Sequence, residues 1–149
     1  MICRIIDGVF LSEVVSLDVL CFFEEVWTAD MFKNSFDALN TLVLGVFDGK
    51  KMVGFALYNY AFEQAELLKI CVSPEFRGKG AAKKLMESAE NLLIKNGCTE
   101  LFLEVNALNA AAIGLYVKSG FKRTGVRLGY YQKSDYDGKD AVLMQKNLK

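Results

Sequence analysis

The strongest signal in this chain lies in residues 72–87, which read VSPEFRGKGAAKKLME. An apolar run ends at Pro74, a basic turn with two glycines follows, and a long amphipathic helix is predicted to begin directly after the turn. The first turn of a helix carries unpaired N–H groups and the positive end of the helix dipole, and Gly78 and Gly80 let a ligand approach the backbone closely. The stretch therefore predicts an anion site, with phosphate as the first candidate ligand.

A glycine pair alone is also typical of a turn that only joins a strand to a helix. Arg77 and Lys79 favour anion binding, because they place two cations beside the turn. A Walker phosphate loop is excluded, since it needs Gly, four residues, Gly-Lys and then Ser or Thr. The dinucleotide fingerprint of three glycines is missing as well.

Length and composition indicate one globular domain over residues 1–149, because 52% of the 149 residues are hydrophobic and such a chain can bury a sizeable core. Lys and Arg together number 18, as do Asp and Glu, so no overall charge attracts the protein to nucleic acid or to an anionic membrane. We find no signal-peptide pattern and no apolar stretch long enough to cross a bilayer, and we expect a cytoplasmic protein.

Four cysteines, Cys3, Cys21, Cys71 and Cys98, are widely spaced, and the chain contains no histidine. A zinc site or a Cys-His nucleophile would need closer spacing or a histidine, so no metal site is predicted. We expect four buried thiols.

Periodicity predicts a mixed sheet covered by helices. The predicted strands span residues 3–6, 42–47, 52–60, 66–72, 100–105, 121–127 and 140–146. The predicted helices span residues 17–27, residues 31–39 with Thr28 or Asp30 as the cap, the segment from the glycine turn to Asn96-Gly97, and residues 110–119. A strand-helix-strand crossover makes its strands parallel and tight hairpins make theirs antiparallel, so an α/β or α+β fold is expected, with a ligand cleft where strands part.

The pattern Arg77-x-x-Gly80-x-Ala82, between a predicted strand and a predicted helix, resembles the acetyl-coenzyme A (acetyl-CoA) signature of the GNAT N-acetyltransferases. The resemblance continues through residues 103–121, LEVNALNAAAIGLYVKSGF. It implies the GNAT fold, a mixed central sheet of about seven strands with about four helices, in which a splayed strand pair forms the acetyl-CoA cleft. It also implies an acyltransferase with acetyl-CoA as its co-substrate.

A narrower resemblance is to the RimI-type enzymes, which acetylate the N-terminal alanine of a ribosomal protein. It rests on Leu103-Glu104-Val105, on Tyr130-Tyr131, on residues 140–144 and on Trp27 with Phe32. The chain departs from the RimI-type pattern near the presumed peptide-binding loops. Val26 stands where that pattern has proline, Gly129 where it has asparagine and Gln132 where it has proline.

The resemblance implies which residues hold the cofactor. The backbone of Ile70, Cys71 and Val72 would pair with the pantetheine arm as an added strand, and a bulge in that strand would turn an amide toward the thioester carbonyl. Asn109 and Tyr116 would also contact the cofactor. The pyrophosphate would be held by Arg77, Gly78, Lys79, Gly80, Ala81, Ala82 and Lys83.

By the same resemblance, the acceptor amine attacks the thioester directly. Glu104 is the expected general base, in apolar surroundings that raise its pKa toward neutrality, and Tyr116 is the expected general acid for the departing thiolate. A covalent route through Cys71 is the rival, although the chain has no histidine to activate that thiol. Trp27, Tyr130 and Tyr131 are the expected substrate-binding residues.

The expected acceptor is the N-terminus of a protein or peptide, with a ribosomal protein as first candidate. One alternative is a GNAT enzyme that acetylates a small-molecule amine or a lysine side chain. Another is a non-catalytic module that binds acyl-CoA. The sequence leaves open the oligomeric state and the need for an accessory subunit.

Overall fold

The computed structural model describes residues 1–21, 25–129 and 140–149. Within these residues the chain forms one seven-stranded sheet, four α-helices and two short 3-10 helices, Gly8–Phe10 and Pro74–Phe76. The strands are β1 Ile2–Ile5, β2 Thr41–Asp48, β3 Lys51–Ala61, β4 Gln64–Val72, β5 Glu100–Asn106, β6 Lys122–Arg127 and β7 Ala141–Asn147. The α-helices are α1 Leu11–Cys21, α2 Ala29–Asp37, α3 Ala81–Lys95 and α4 Ala110–Lys118.

The strand order in the sheet is β1-β2-β3-β4-β5-β7-β6. Strands β4 and β5 are parallel because α3 crosses over between them, and the other neighbouring pairs are antiparallel. This arrangement confirms the predicted mixed sheet flanked by helices.

Strands β4 and β5 separate soon after they meet. Their ladder joins Gln64 to Glu100, Ala65 to Leu101 and Glu66 to Phe102, and the pairing stops there. Residues 67–72 of β4 and residues 103–106 of β5 continue past the last pair, so the strands diverge toward their carboxyl ends. The predicted splayed strand pair is therefore confirmed.

A β-bulge interrupts the pairing of β3 with β4. Leu57 lies opposite Lys69 and Tyr58 lies opposite Leu67, which leaves Leu68 without a partner in the register. Consecutive residues of a regular strand point to opposite faces, whereas a bulge places two successive residues on one face. Leu68 packs into the core beneath α1, and Lys69 also points to that face, toward Asp18 of α1.

Apolar residues cover both faces of the sheet. On one face α3 and α4 bury a core that includes Leu85, Leu93 and Leu103. On the other face α1 and α2 pack on β2, β3 and β4 through residues such as Val14 and Phe32. No helix in the described residues is both long and apolar enough to cross a membrane.

The first helix lies earlier in the chain than predicted. It runs from Leu11 to Cys21, whereas the spacing of apolar residues predicted a helix over residues 17–27. That prediction is wrong because Leu20, one of the apolar residues with helical spacing, is 54% exposed, and because Trp27 lies outside the helix, where its backbone N–H donates to the Asp18 side chain. The second helix is capped by Thr28, whose hydroxyl accepts from the Met31 N–H at 3.2 Å.

The prediction of four buried thiols is also wrong. Cys21 and Cys71 form a disulfide with a Cα–Cα distance of 6.2 Å, which ties the end of α1 to β4. Cys3 is only partly buried, and Cys98 is a buried free thiol. The sequence did not reveal the pair because the two residues are separated by 50 positions.

Candidate active site

The glycine-rich turn forms an open cradle in front of α3. Gly78 and Gly80 have φ values of +75° and +82°, a backbone conformation that glycine adopts without strain. Gly80 is the N-cap of α3, and as a glycine it has no side chain to cap the helix. A Cβ atom at either glycine would meet no atom of the described residues within 4 Å, so the predicted anion site has free amides and room for a ligand.

The cations around this cradle have different surroundings. The Arg77 Nε donates to the Val72 carbonyl at 3.1 Å, which fastens the turn to the end of β4. The Lys79 Nζ lies 5.2 Å from the centre of the Phe76 ring. The Lys83 Nζ lies 3.8 Å from Glu87 in an exposed pair, so Lys79 and Lys83 remain accessible for an anionic ligand.

The strand predicted to bind the pantetheine arm lies where β4 and β5 diverge, and we call this gap the splay. Ile70, Cys71 and Val72 belong to the part of β4 that has left β5. An unpaired strand edge offers N–H and C=O groups to an extended ligand. The Cys71 sulfur is held in the disulfide, so in this state it offers no thiolate for the covalent route.

Glu104 lies on the face of β5 that points away from α3 and α4. Its side chain is 20% exposed, and Oε1 lies 2.9 Å from the guanidinium of Arg127 on β6. Besides the apolar residues expected around it, Glu104 therefore has a cationic neighbour from across β7, which the sequence did not predict. The sequence did not reveal Arg127, because only the strand order of the sheet shows that β6 lies one strand away from β5.

Glu66 is a second carboxylate near Glu104 that sequence reasoning missed. Burial raises the pKa of Glu66, the neighbouring Glu104 carboxylate raises it further, and Arg127 lowers it in part. Glu66 lies opposite Phe102 in the last pair of the β4–β5 ladder. The sequence signal for Glu66 was a charged residue between the apolar residues Ala65 and Leu67.

Both carboxylates line a groove of about 440 Å³. The groove lies beside the part of the sheet that α1 and α2 cover, on the same face. Its lining includes Asn59, Glu66, Phe102, Glu104, Thr124 and Leu143. An apolar floor with acidic groups fits a ligand that carries an amine.

Tyr116 of α4 is 8% exposed and contacts the Phe121 ring edge-on at a centroid distance of 5.8 Å. Burial, with a smaller contribution from the Glu25 carboxylate, raises the pKa of Tyr116 to about 12. The phenol therefore stays protonated at neutral pH. Asn109 caps the same helix by accepting from the Ala112 N–H at 3.1 Å.

Of the three predicted substrate-binding residues, only Trp27 lies within the described residues. Its ring is 5.2 Å from that of Phe32 and 5.3 Å from the Lys69 Nζ. Tyr130 and Tyr131 lie outside the described residues. Trp27 is therefore the one predicted substrate-binding residue whose position the structure describes.

Comparison with known proteins agrees with these features. The acetyltransferase (GNAT) family model matches residues 11–121. The chain is 38% identical over 94 residues, 63% of each protein, to the [ribosomal protein bS18]-alanine N-acetyltransferase of Escherichia coli K12. It is 32% identical over 108 residues, 72% of this chain and 61% of the relative, to the spermidine N(1)-acetyltransferase of Thermoplasma acidophilum.

These matches span less than two thirds of the length of either relative. The crystal structure of the E. coli ribosomal-protein-S18-alanine N-acetyltransferase superposes with a TM-score of 0.89 at 28% identity, over 99% of this chain and 93% of that one. The predicted fold, enzyme class and acetyl-CoA co-substrate are confirmed, and the chain belongs to the acetyltransferase (GNAT) family.

Proposed function

We propose that this chain transfers the acetyl group of acetyl-CoA to the N-terminal α-amine of a protein, with an N-terminal alanine of a ribosomal protein as the first candidate. The observation that carries the proposal is the similarity, in sequence and in fold, to the E. coli enzyme that acts on ribosomal protein bS18. We also propose that residues 1–149 form a single domain and that the protein is cytoplasmic.

The donor side of the proposal uses the turn and the splay. The pyrophosphate of acetyl-CoA binds the free amides in front of α3, with Lys79 and Lys83 adding charge. The pantetheine arm pairs with residues 70–72 of β4. This route leads the thioester into the gap between β4 and β5, where the Leu68 bulge frees a backbone amide from the β3 register to stabilise the oxyanion.

The reacting nitrogen must lose two protons, and the departing sulfur must gain one. Glu104 accepts a proton from the acceptor ammonium group, directly or through water, and the free amine attacks the thioester carbon. Collapse of the tetrahedral intermediate breaks the C–S bond, Tyr116 donates a proton to the thiolate of CoA, and the second proton of the nitrogen passes through water to the Tyr116 phenolate. Arg127 orients the Glu104 carboxylate through their 2.9 Å contact.

One observation favours a second candidate, acetylation of a polyamine. The groove holds a second carboxylate, Glu66, beside Glu104, and such a pair suits a ligand with more than one cationic nitrogen. The similarity to a spermidine N(1)-acetyltransferase points the same way. Under this candidate Glu104 receives the reacting amine and Glu66 holds a distal ammonium group.

Mass spectrometry of the products decides between these acceptors. The purified chain is offered acetyl-CoA with peptides that begin with Ala or Ser, with lysine peptides whose N-terminus is blocked, with spermidine and with an aminoglycoside. We expect acetylation of the α-amine of the Ala peptide. Acetylation of spermidine alone would replace the first proposal by the second, and acetyl-CoA binding without transfer to any amine would favour a non-catalytic module.

A further inference from the structure

A buried ion pair lies under the segment that carries Trp27. The Lys69 Nζ is 2.9 Å from the Asp18 Oδ1, and the two side chains are 5% and 0% exposed. Lys69 belongs to β4 and Asp18 to α1. The pair thus joins the strand proposed to bind the cofactor to the helix that leads toward the acceptor side, and the proposed chemistry uses neither side chain.

Both members of the pair bind the backbone of residues 25–28, which we call the Trp27 segment. The Asp18 Oδ2 accepts a hydrogen bond from the Trp27 N–H at 2.8 Å. The Lys69 Nζ donates to the Glu25 carbonyl and lies 5.3 Å from the centre of the Trp27 ring. Two buried side chains therefore determine where this segment sits.

The bulge at Leu68 is what brings Lys69 to the segment. Regular alternation would point Leu68 toward α1 and Lys69 toward the opposite face, beneath α3. Because the bulge places both residues on the α1 face, the lysine reaches Asp18. The same bulge that is proposed to supply the oxyanion amide thus also orients a side chain toward the Trp27 segment.

Stability alone is a weak reason to bury this pair. Burial lowers the pKa of Lys69, and its hydrogen bond and charge interaction with Asp18 offset that effect in part. Desolvation cancels most of the attraction within a buried ion pair, and an uncharged pair of similar volume often leaves a protein as stable. The function of the pair therefore lies in the geometry that it imposes.

The Trp27 segment carries the residue predicted to bind the acceptor. The charge of Glu25, at the start of the segment, acts on Lys69 and contributes to the raised pKa of Tyr116, the candidate acid. Trp27 follows two residues later and packs on Phe32. A shift of this segment would move Trp27, the residue predicted to bind the acceptor, and would leave the turn before α3 in place.

We propose that Lys69 is a positioning residue, which with Asp18 holds the Trp27 segment in the orientation that binds the acceptor. The inference rests on the proposed function, because the acceptor is the amine substrate named there. Its effect falls on acceptor binding and spares cofactor binding, whose groups lie on the turn, on the backbone of β4 and on α4.

The double variant Asp18→Asn/Lys69→Met tests this inference. Asparagine keeps an acceptor for the Trp27 N–H, and methionine fills the space of the lysine without its charge or its bond to Glu25. Trp27 is the only tryptophan of the chain, so its fluorescence reports on the segment without any need for activity. We expect red-shifted emission and faster quenching by acrylamide.

In kinetics, we expect the KM of the Ala peptide to rise about tenfold, while the Kd of acetyl-CoA changes less than about twofold. The control is Glu90→Gln/Lys146→Met on the opposite face of the sheet. There the Lys146 Nζ lies 2.6 Å from Glu90 and donates to the Ser119 carbonyl at 2.6 Å, so the control removes a similar pair elsewhere. Its fluorescence and its peptide KM should match those of the wild type.

Wild-type fluorescence in a folded Asp18→Asn/Lys69→Met variant would overturn the inference. So would a peptide KM and an acetyl-CoA Kd that rise together, because that result would indicate general damage. If the wild type acetylates no amine, the proposed function fails, and the fluorescence of the two variants still decides whether the pair positions Trp27.

Discussion

The carboxylate of Glu104 on β5 lies 2.9 Å from the guanidinium of Arg127 on β6, so the candidate base is held from across β7. This contact fixes the direction of the carboxylate before any acceptor arrives. A charge-assisted bond of this kind is stronger than a neutral one and restricts the side chain to fewer rotamers. The sheet thus orients the candidate base through a contact between two of its strands.

Replacing Glu104 by Gln should lower kcat by about 10² to 10⁴, because the amide cannot accept the ammonium proton. The acidic limb of the pH-rate profile should flatten at the same time, since no carboxylate remains to be protonated. Steady-state kinetics over a range of pH checks both effects. Glu87→Gln on the exposed face of α3 is the control, and an unaltered acidic limb in the Glu104 variant would assign the base to another group.

Tyr116→Phe should lower kcat by at least about tenfold while the Kd of acetyl-CoA stays nearly unchanged, because only a proton donor is lost. Isothermal titration with acetyl-CoA and steady-state rates separate the two effects. Tyr58→Phe offers a matched control, a buried tyrosine outside the proposed chemistry. Equal turnover in wild type and Tyr116→Phe would remove this phenol from the mechanism.

Tyr58→Phe should stabilise the protein or leave its stability unchanged. Among the described residues the Tyr58 hydroxyl is buried without a hydrogen-bond partner, and leaving such a group unpaired costs about 1 to 3 kcal/mol. Urea unfolding should give an equal or larger free energy of unfolding for the variant. A clear loss of stability would show that the hydroxyl has a partner, such as a bound water.

Stability should fall as the pH rises from 10 toward 12. Burial is the main cause that raises the pKa of Tyr116 from 10.0 to about 12, and it raises that of Tyr58 further. A group whose pKa is higher in the folded state stabilises the fold fully below its unfolded pKa and loses that effect as the pH passes its folded pKa. At pH 12 the loss from Tyr116 is about 2 to 3 kcal/mol, and urea unfolding of Tyr116→Phe over this range should show a shallower decline.

Reduction of the Cys21–Cys71 disulfide should destabilise the fold. The bond closes a loop of 50 positions, and loop-closure entropy gives an upper contribution of about 4 kcal/mol. Thiol titration of the unfolded chain should find two more thiols after treatment with dithiothreitol than before. The melting temperature of Cys21→Ala should equal that of the reduced wild type and no longer respond to the reductant.

Local patterns predicted the parts of the fold that are local. Two runs of aliphatic and aromatic residues on either side of Asp48-Gly49 located β2 and β3 to within a residue, and the glycine turn located the start of α3. The prediction of the first helix failed because apolar residues continue past the end of the helix with a helix-like spacing. Only the packing shows that Leu20 points to solvent and that Trp27 belongs to a loop.

The candidate site was predictable where a motif carries it. Glu104, Tyr116 and the turn before α3 came from the family signature, whereas Arg127 and Lys69 did not. Their partners are distant in the chain, as with Lys69 and Asp18 at a separation of 51 residues. Contacts of that kind depend on strand order and on the bulge, and neither has a periodic signature in the sequence.

The bulge at Leu68 has a consequence for how this enzyme tolerates changes in chain length. Removing Leu68 would leave Leu67 and Lys69 as neighbours with regular alternation, so every other side chain of β4 would keep its present face. The ladder with β3 would become continuous, and the amide proposed to stabilise the oxyanion would be lost. Apart from its packing, Leu68 thus contributes as an inserted backbone unit, and no substitution at this position could reproduce the effect of deleting it.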